Sequence, residues 1–122
     1  RSQSFFTTRY FLPHLRNSKS GAKVAIISSL TGSQTHTVSN AYAYRASKAG
    51  ANNIALTLSH ELRDEQIAVA AYHPGWVRTD MGGPNGDISR HESAAGLLQR
   101  FDELTLADTG AFINYNGDRL RL

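Results

Sequence analysis

Tyr44 and Lys48 stand four residues apart in the run Ala43-Tyr44-Arg45-Ala46-Ser47-Lys48-Ala49-Gly50. On a helix, that spacing sets both side chains on one face. A free phenol titrates near about 10 and is a poor base at neutral pH. An ammonium about 4 Å away, at an effective dielectric near ~20, stabilises the phenolate by about 4 kcal/mol as an upper bound. That bound corresponds to roughly three pKa units. It would let the phenol exchange protons with a carbonyl or alcohol oxygen near neutrality. Ser29 closes an apolar run upstream and offers a hydroxyl to hold that oxygen; Ser28 is a rival for the same role. Downstream, Pro74-Gly75-Trp76-Val77-Arg78-Thr79 follows a second apolar run. Gly75 admits close approach of backbone to a ligand, and Thr79 adds a hydroxyl. Each feature alone has a plainer reading: a Tyr–Lys pair on a solvated face, a serine entering a loop, a strand-to-loop turn. Only their conjunction carries chemistry.

The elements that must position these residues follow from pattern. Residues 2–16 read as a helix, with Phe5, Thr8, Leu12 and Leu15 on one face and Pro13 bending it or marking its last turn. Asn17-Ser18-Lys19-Ser20-Gly21 is a turn. Val24-Ala25-Ile26-Ile27 reads as a short strand buried on both faces, as parallel strands are. Residues 30–40 are polar and lack a period, so they form a loop. Residues 41–65 form the longest helix, striped by Ala51, Ala55, Leu58 and Leu62. Ile67-Ala68-Val69-Ala70-Ala71-Tyr72 is a second buried strand. Residues 74–88 carry two Pro and four Gly and read as a mobile loop. Ser89 and Glu92 make a capping box for a helix through about Leu104. A last strand, Ala111-Phe112-Ile113-Asn114-Tyr115, is closed by Asn116-Gly117. Strands alternating with helices imply an α/β fold with a parallel sheet and right-handed crossovers. Three strands cannot complete such a sheet, and an edge strand normally has a neighbour. The expectation is therefore an incomplete chain.

Composition narrows the function classes. At 122 residues the chain is at most one domain. It contains no Cys, which excludes disulfides, thiolate catalysis and thiolate metal sites. The five His show no ligand-like spacing, and His73 at a strand end reads as structural, so no metal site is expected. The net charge is +3, but the thirteen Lys and Arg are scattered, so nucleic acid is not an expected partner. No segment is long and apolar enough to span a membrane. The first residue is Arg, and no charged-then-apolar leader follows it. The reading is a cytoplasmic protein present as a processed product or a piece of a longer one.

Ser29, Tyr44-x-x-x-Lys48 and Pro74-Gly75-x-x-x-Thr79, in this order around these strands, resemble the short-chain dehydrogenase/reductase family. The stretches from His73 to Gly83 and from Leu104 to Gly110 are further similar to its C-factor-like, carbonyl-reductase-type branch. The similarity spans nearly the whole chain but matches only the C-terminal half of a family member. It implies a Rossmann-type doubly wound sheet, with residues 1–122 as the C-terminal part of one domain. It also implies an oxidoreductase moving hydride between NAD(P)H and a small carbonyl or alcohol substrate, with NADP(H) suggested over NAD(H) by the branch. By this resemblance Tyr44 is the acid/base. Lys48 lowers its pKa and holds the nicotinamide ribose, and Ser29 orients the substrate oxygen. Pro74, Gly75, Val77 and Thr79 match the stretch holding the carboxamide end of nicotinamide. Residues 80–88 would lie over the substrate as a lid. Helices 2–16 and 41–65 match those that build the family's dimer interface, implying a homo-oligomer.

Departures from the family pattern are equally specific. The Gly-rich turn that seats pyrophosphate and the Asn-Asn-Ala-Gly segment are absent. The family's catalytic Asn would fall at or just before Arg1. The residue that selects NAD or NADP lies outside the chain. The fifteen residues from Ser29 to Tyr44 exceed the family's usual spacing by about two, a small insertion. Two further readings stand beside the enzyme. One is a truncated, non-catalytic remnant acting through its helices. The other is a sugar-nucleotide epimerase, which also uses Tyr-x-x-x-Lys but needs a sizeable C-terminal domain.

Overall fold

The computed structural model describes residues 3–17, 21–29, 42–76 and 88–122; within the helices, the side chains of residues 3–6, 43 and 44 are outside the description. The described elements are α1 (Gln3–Arg16), β1 (Lys23–Ile27), α2 (Tyr42–Leu62), β2 (Ala68–His73), α3 (Arg90–Glu103), β3 (Phe112–Asn114) and β4 (Arg119–Leu120). The sheet order is β1-β2-β3-β4. β1 pairs parallel to β2, with Lys23 opposite Ala68 and Ile27 opposite Tyr72. β2 pairs parallel to β3, with Ala71 opposite Phe112 and His73 opposite Asn114. The expected α/β, Rossmann-type half-sheet is thus present.

β2 is the centre of the molecule. Its residues alternate between two apolar layers, so nearly every side chain is buried. Val69 and Ala71 join Ile26, Ala55, Leu58, Leu62, Ile67 and Phe112 beneath α1 and α2, with Leu12, Leu15 and Ala51 packed against them. Ala68, Ala70 and Tyr72 join Leu104, Leu97, Phe101 and Ile113 beneath α3. The small alanines let helices approach the strand closely; the larger residues around them fill the remaining space. Thr109 stitches β2 to the approach of β3. Its hydroxyl accepts from Val69 N at 2.9 Å, and Gly110 N donates to Val69 O at 2.7 Å.

Element ends obey local chemistry. Ser89 has extended backbone and its hydroxyl accepts from Glu92 N, forming the N-cap of α3. Pro13 sits in the last turn of α1, where its carbonyl accepts from Asn17 N at 3.2 Å. α2 ends at Leu62 rather than at residue 65. Residues Arg63–Glu65 tighten into a 3-10 turn, closed by Gln66 in the left-handed conformation at φ 61°.

Two expectations are corrected. β1 is not buried on both faces: Val24 and Ile26 point inward, but Ala25 and Ile27 are exposed, Ile27 by 44%. α3 packs over β2 and β3, and it meets β1 where Lys23 Nζ donates to Phe101 O and Asp102 O at 3.1 and 2.9 Å. The chain also has one more strand than expected. Asn116-Gly117 is not a terminus but a hairpin turn, with Gly117 at φ 98°. It returns the chain antiparallel, with Leu120 opposite Phe112. Arg119 on this strand pairs with Asp108. No helix among the described residues is long and apolar enough to cross a membrane.

Candidate functional site

In parallel sheets the ligand crevice lies beyond the carboxyl ends of the strands. Here β1 ends at Ile27, followed by Ser28 and Ser29, and the adjacent β2 ends at His73, followed by Pro74 and Gly75. Ser28 N donates to Tyr72 O at 2.7 Å, carrying the ladder one step past β1. The two segments therefore leave the sheet side by side.

The two candidate serines differ in what they touch. Ser28 Oγ donates to the backbone carbonyl of Lys48 at 3.2 Å. Ser28 is almost fully buried, so its hydroxyl is a tie between the end of β1 and α2. That tie seats the second turn of α2 against the strand end. Ser29, one residue on, is also buried and stands past the strand. Lys48 is half-buried in α2, and Tyr44 lies one turn before it on the same helix. The Tyr44 side chain lies outside the described residues, as do Val77, Thr79 and the loop residues 30–40 and 77–87.

The turn after β2 is tightly held. Gly75 adopts φ +83°, a conformation that favours glycine. Ser93 Oγ in α3 donates to Pro74 O at 2.6 Å, and Ile88 N donates to Trp76 O at 3.2 Å. Trp76 itself is 56% exposed. His73 is held below the usual imidazole range by burial, so it is neutral at physiological pH. Sequence reasoning missed Ser93, because a serine inside a helix gives no signal of the carbonyl it meets. It also missed Asn52, one turn beyond Lys48 on the same face and 3% exposed, whose carboxamide atoms have no hydrogen-bond partner among the described residues. Among the described residues, no three His, Asp or Glu converge as a metal site would require.

Comparison with known proteins agrees with this arrangement. The family model for short chain dehydrogenases matches residues 3–88. The chain is 41% identical over 113 residues to C-signal of Myxococcus xanthus, covering 90% of this chain and 66% of that protein. It is 38% identical over 106 residues to 1-hydroxy-2-glutathionyl-2-methyl-3-butene dehydrogenase of Rhodococcus sp. strain AD45, covering 83% and 47% respectively. Among solved structures, NADPH-bound carbonyl reductase from chicken fatty liver superposes with a TM-score of 0.89 at 32% identity, covering 98% of this chain and 52% of that one. Carbonyl reductase Sniffer of D. melanogaster superposes at 0.88 with the same identity and coverage. The chain spans about half to two thirds of the length of these relatives. A family match that runs through the Ser28–Ser29 strand end, the Tyr44–Lys48 turn and the Pro74–Gly75 turn, on a sheet of the same shape, makes this chain a member of the short-chain dehydrogenase family.

Proposed function

We propose that the chain is the catalytic half of an oxidoreductase that moves hydride between NADP(H) and a small carbonyl or alcohol substrate. The observation that carries this reading is the Ser28 Oγ to Lys48 O hydrogen bond. It seats the helix turn bearing Tyr44 and Lys48 on the strand end that bears Ser29, beside the Pro74–Gly75 turn.

The residues present fit the nicotinamide end of the cofactor by their chemistry: a hydroxyl, an ammonium and a turn of backbone with a positive-φ glycine. When bound, the nicotinamide supplies or accepts the hydride. Tyr44 gives its phenolic proton to the carbonyl oxygen, or takes it from the alcohol in the reverse direction. Lys48 would favour the phenolate of Tyr44 and hold the ribose hydroxyls. Ser29, which holds the family's position for this role, is the hydroxyl that would orient the substrate oxygen. Pro74, Gly75, Val77 and Thr79, by their match to the family's stretch, would hold the carboxamide. NADP(H) is favoured over NAD(H) because chicken carbonyl reductase and a Burkholderia multivorans relative carry NADPH or NADP in their structures. We place the protein in the cytoplasm.

The test is aldehyde- or ketone-dependent NADPH oxidation by the protein with its natural flanking sequence. Tyr44→Phe should lower kcat by about 10²- to 10⁴-fold with little change in KM. An unchanged rate would sink the assignment. A second reading is favoured by α1, where Tyr10 and Phe11 stack edge to face yet are 77% and 49% exposed. In that reading the 122 residues are a non-catalytic module that self-associates through α1 and α2. Sedimentation of the isolated chain as a dimer without micromolar NADPH binding would favour it.

A further inference from the structure

The turn that follows β2 is braced by a side chain from the far end of the sequence. Tyr115, just past β3, donates its backbone N–H to His73 O at 2.9 Å. Its ring then lies between two glycines. A Cβ built on Gly75 would stand 2.9 Å from Tyr115 Cδ1 and Cε1, and one built on Gly96 in α3 would stand 3.0 Å from Cδ2 on the opposite edge. The Gly96 Cβ would also meet Tyr115 O at 2.6 Å. The Gly75 approach to the ring and the Gly96 approach to Tyr115 O are closer than side chains adopt, and the Gly96 approach to the ring is tight, so glycine at these two positions lets backbone seat against Tyr115. The remaining sides of the turn are taken by Ile88, whose Cδ1 would stand 2.6 Å from a Gly75 Cβ, and by Ser93 Oγ on Pro74 O. The ring is the piece that joins the turn to both β3 and α3.

We infer that Tyr115 is a positioning residue for this turn: its ring, wedged between Gly75 and Gly96, sets where the Pro74–Gly75 backbone stands against a bound nicotinamide. This rests on the function proposed above. The close contacts come from ring carbons and the main chain, so the brace needs the ring and not its hydroxyl.

The experiment uses the protein with its natural flanking sequence. Tyr115→Leu should raise the KM for NADPH about tenfold, because small misplacements of binding backbone are costly. Tyr115→Phe should restore it to within about twofold of the parent. Leu120→Ala, in the neighbouring strand and packed on the α2-side core, should lower the melting temperature yet leave that KM unchanged. Amide exchange gives a readout free of activity: the Ile88 amide, bonded to Trp76 O, should exchange faster in Tyr115→Leu than in Tyr115→Phe. If Tyr115→Leu does not fold, Gly96→Ala displaces the ring from its other side and should raise the KM likewise. Parental KM and parental Ile88 exchange in the ring-displaced variant would overturn the inference, as would an equal KM rise in Leu120→Ala. A parent that neither binds nor oxidises NADPH would defeat the proposed function instead, while the exchange comparison would still decide whether Tyr115 braces the turn.

Discussion

Ser28 and Ser29 are chemically identical neighbours, and we propose different work for them. Ser28 spends its hydroxyl on Lys48 O. Removing a buried hydrogen bond while leaving the acceptor in place costs about 1 kcal/mol or more. Ser28→Ala should therefore lower the unfolding free energy by about that amount and the denaturation midpoint with it. Ser29→Ala should depress the rate of NADPH oxidation by at least about tenfold, whatever it does to the midpoint. Equilibrium denaturation and steady-state kinetics on the two variants separate the roles. Residue pattern alone left Ser28 and Ser29 as rivals, and only the family resemblance singled out Ser29; the Ser28 bond was not legible because it depends on a helix carbonyl that arrives from twenty residues away. The Tyr–Lys spacing was legible for the opposite reason: both residues belong to one helix, and helical geometry is local. Tyr115 was invisible as a brace because its partners, Gly75 and Gly96, are brought to it only by tertiary packing.

Among the elements, β2 matched its sequence reading most closely: a continuous apolar run became a central strand buried on both faces. β1, with a similar run, did not, since burial of its second face depends on what α3 covers rather than on its own residues. β4 escaped notice because two residues carry no period, and the Asn116-Gly117 pair that makes its hairpin was read only as the close of the preceding strand. Tyr72 shows how an element's position governs chemistry. Its ring packs edge to face on Phe101, and its hydroxyl has no hydrogen-bond partner among the described residues. Burial first, then the negative charges of Asp108 and Glu103, push its phenol up to about 12. That environment opposes the one proposed for Tyr44, where an ammonium favours the phenolate. A phenol whose folded pKa is raised contributes fully below its unfolded value of about 10 and loses that contribution as pH rises toward the folded value. Stability should thus fall between about pH 10 and 12. Tyr72→Phe should flatten that decline and be neutral or slightly stabilising at pH 7, because it removes an unpaired buried hydroxyl. Chemical denaturation across alkaline pH reads both effects.

At the scale of the molecule, the fold and family were legible because their signals repeat along the chain: alternating strands and helices, and three motifs in a fixed order. The chain covers about half of the chicken and fly carbonyl reductases it superposes on. Its strands nevertheless carry two apolar layers, one beneath α1 and α2 and the other beneath α3. The uncovered face of β1 has a consequence for handling these 122 residues alone. β1 is the outer strand of the described sheet, with Ile27 and Ala25 open to water. A lysine on such a strand normally acts as a gatekeeper against stacking, but Lys23 is already engaged by the end of α3. The isolated chain should therefore seed fibril-like assemblies at raised concentration, detectable as a thioflavin signal with a lag. Ile27→Lys should lengthen that lag severalfold, and an unaltered time course would show that polymerisation starts elsewhere.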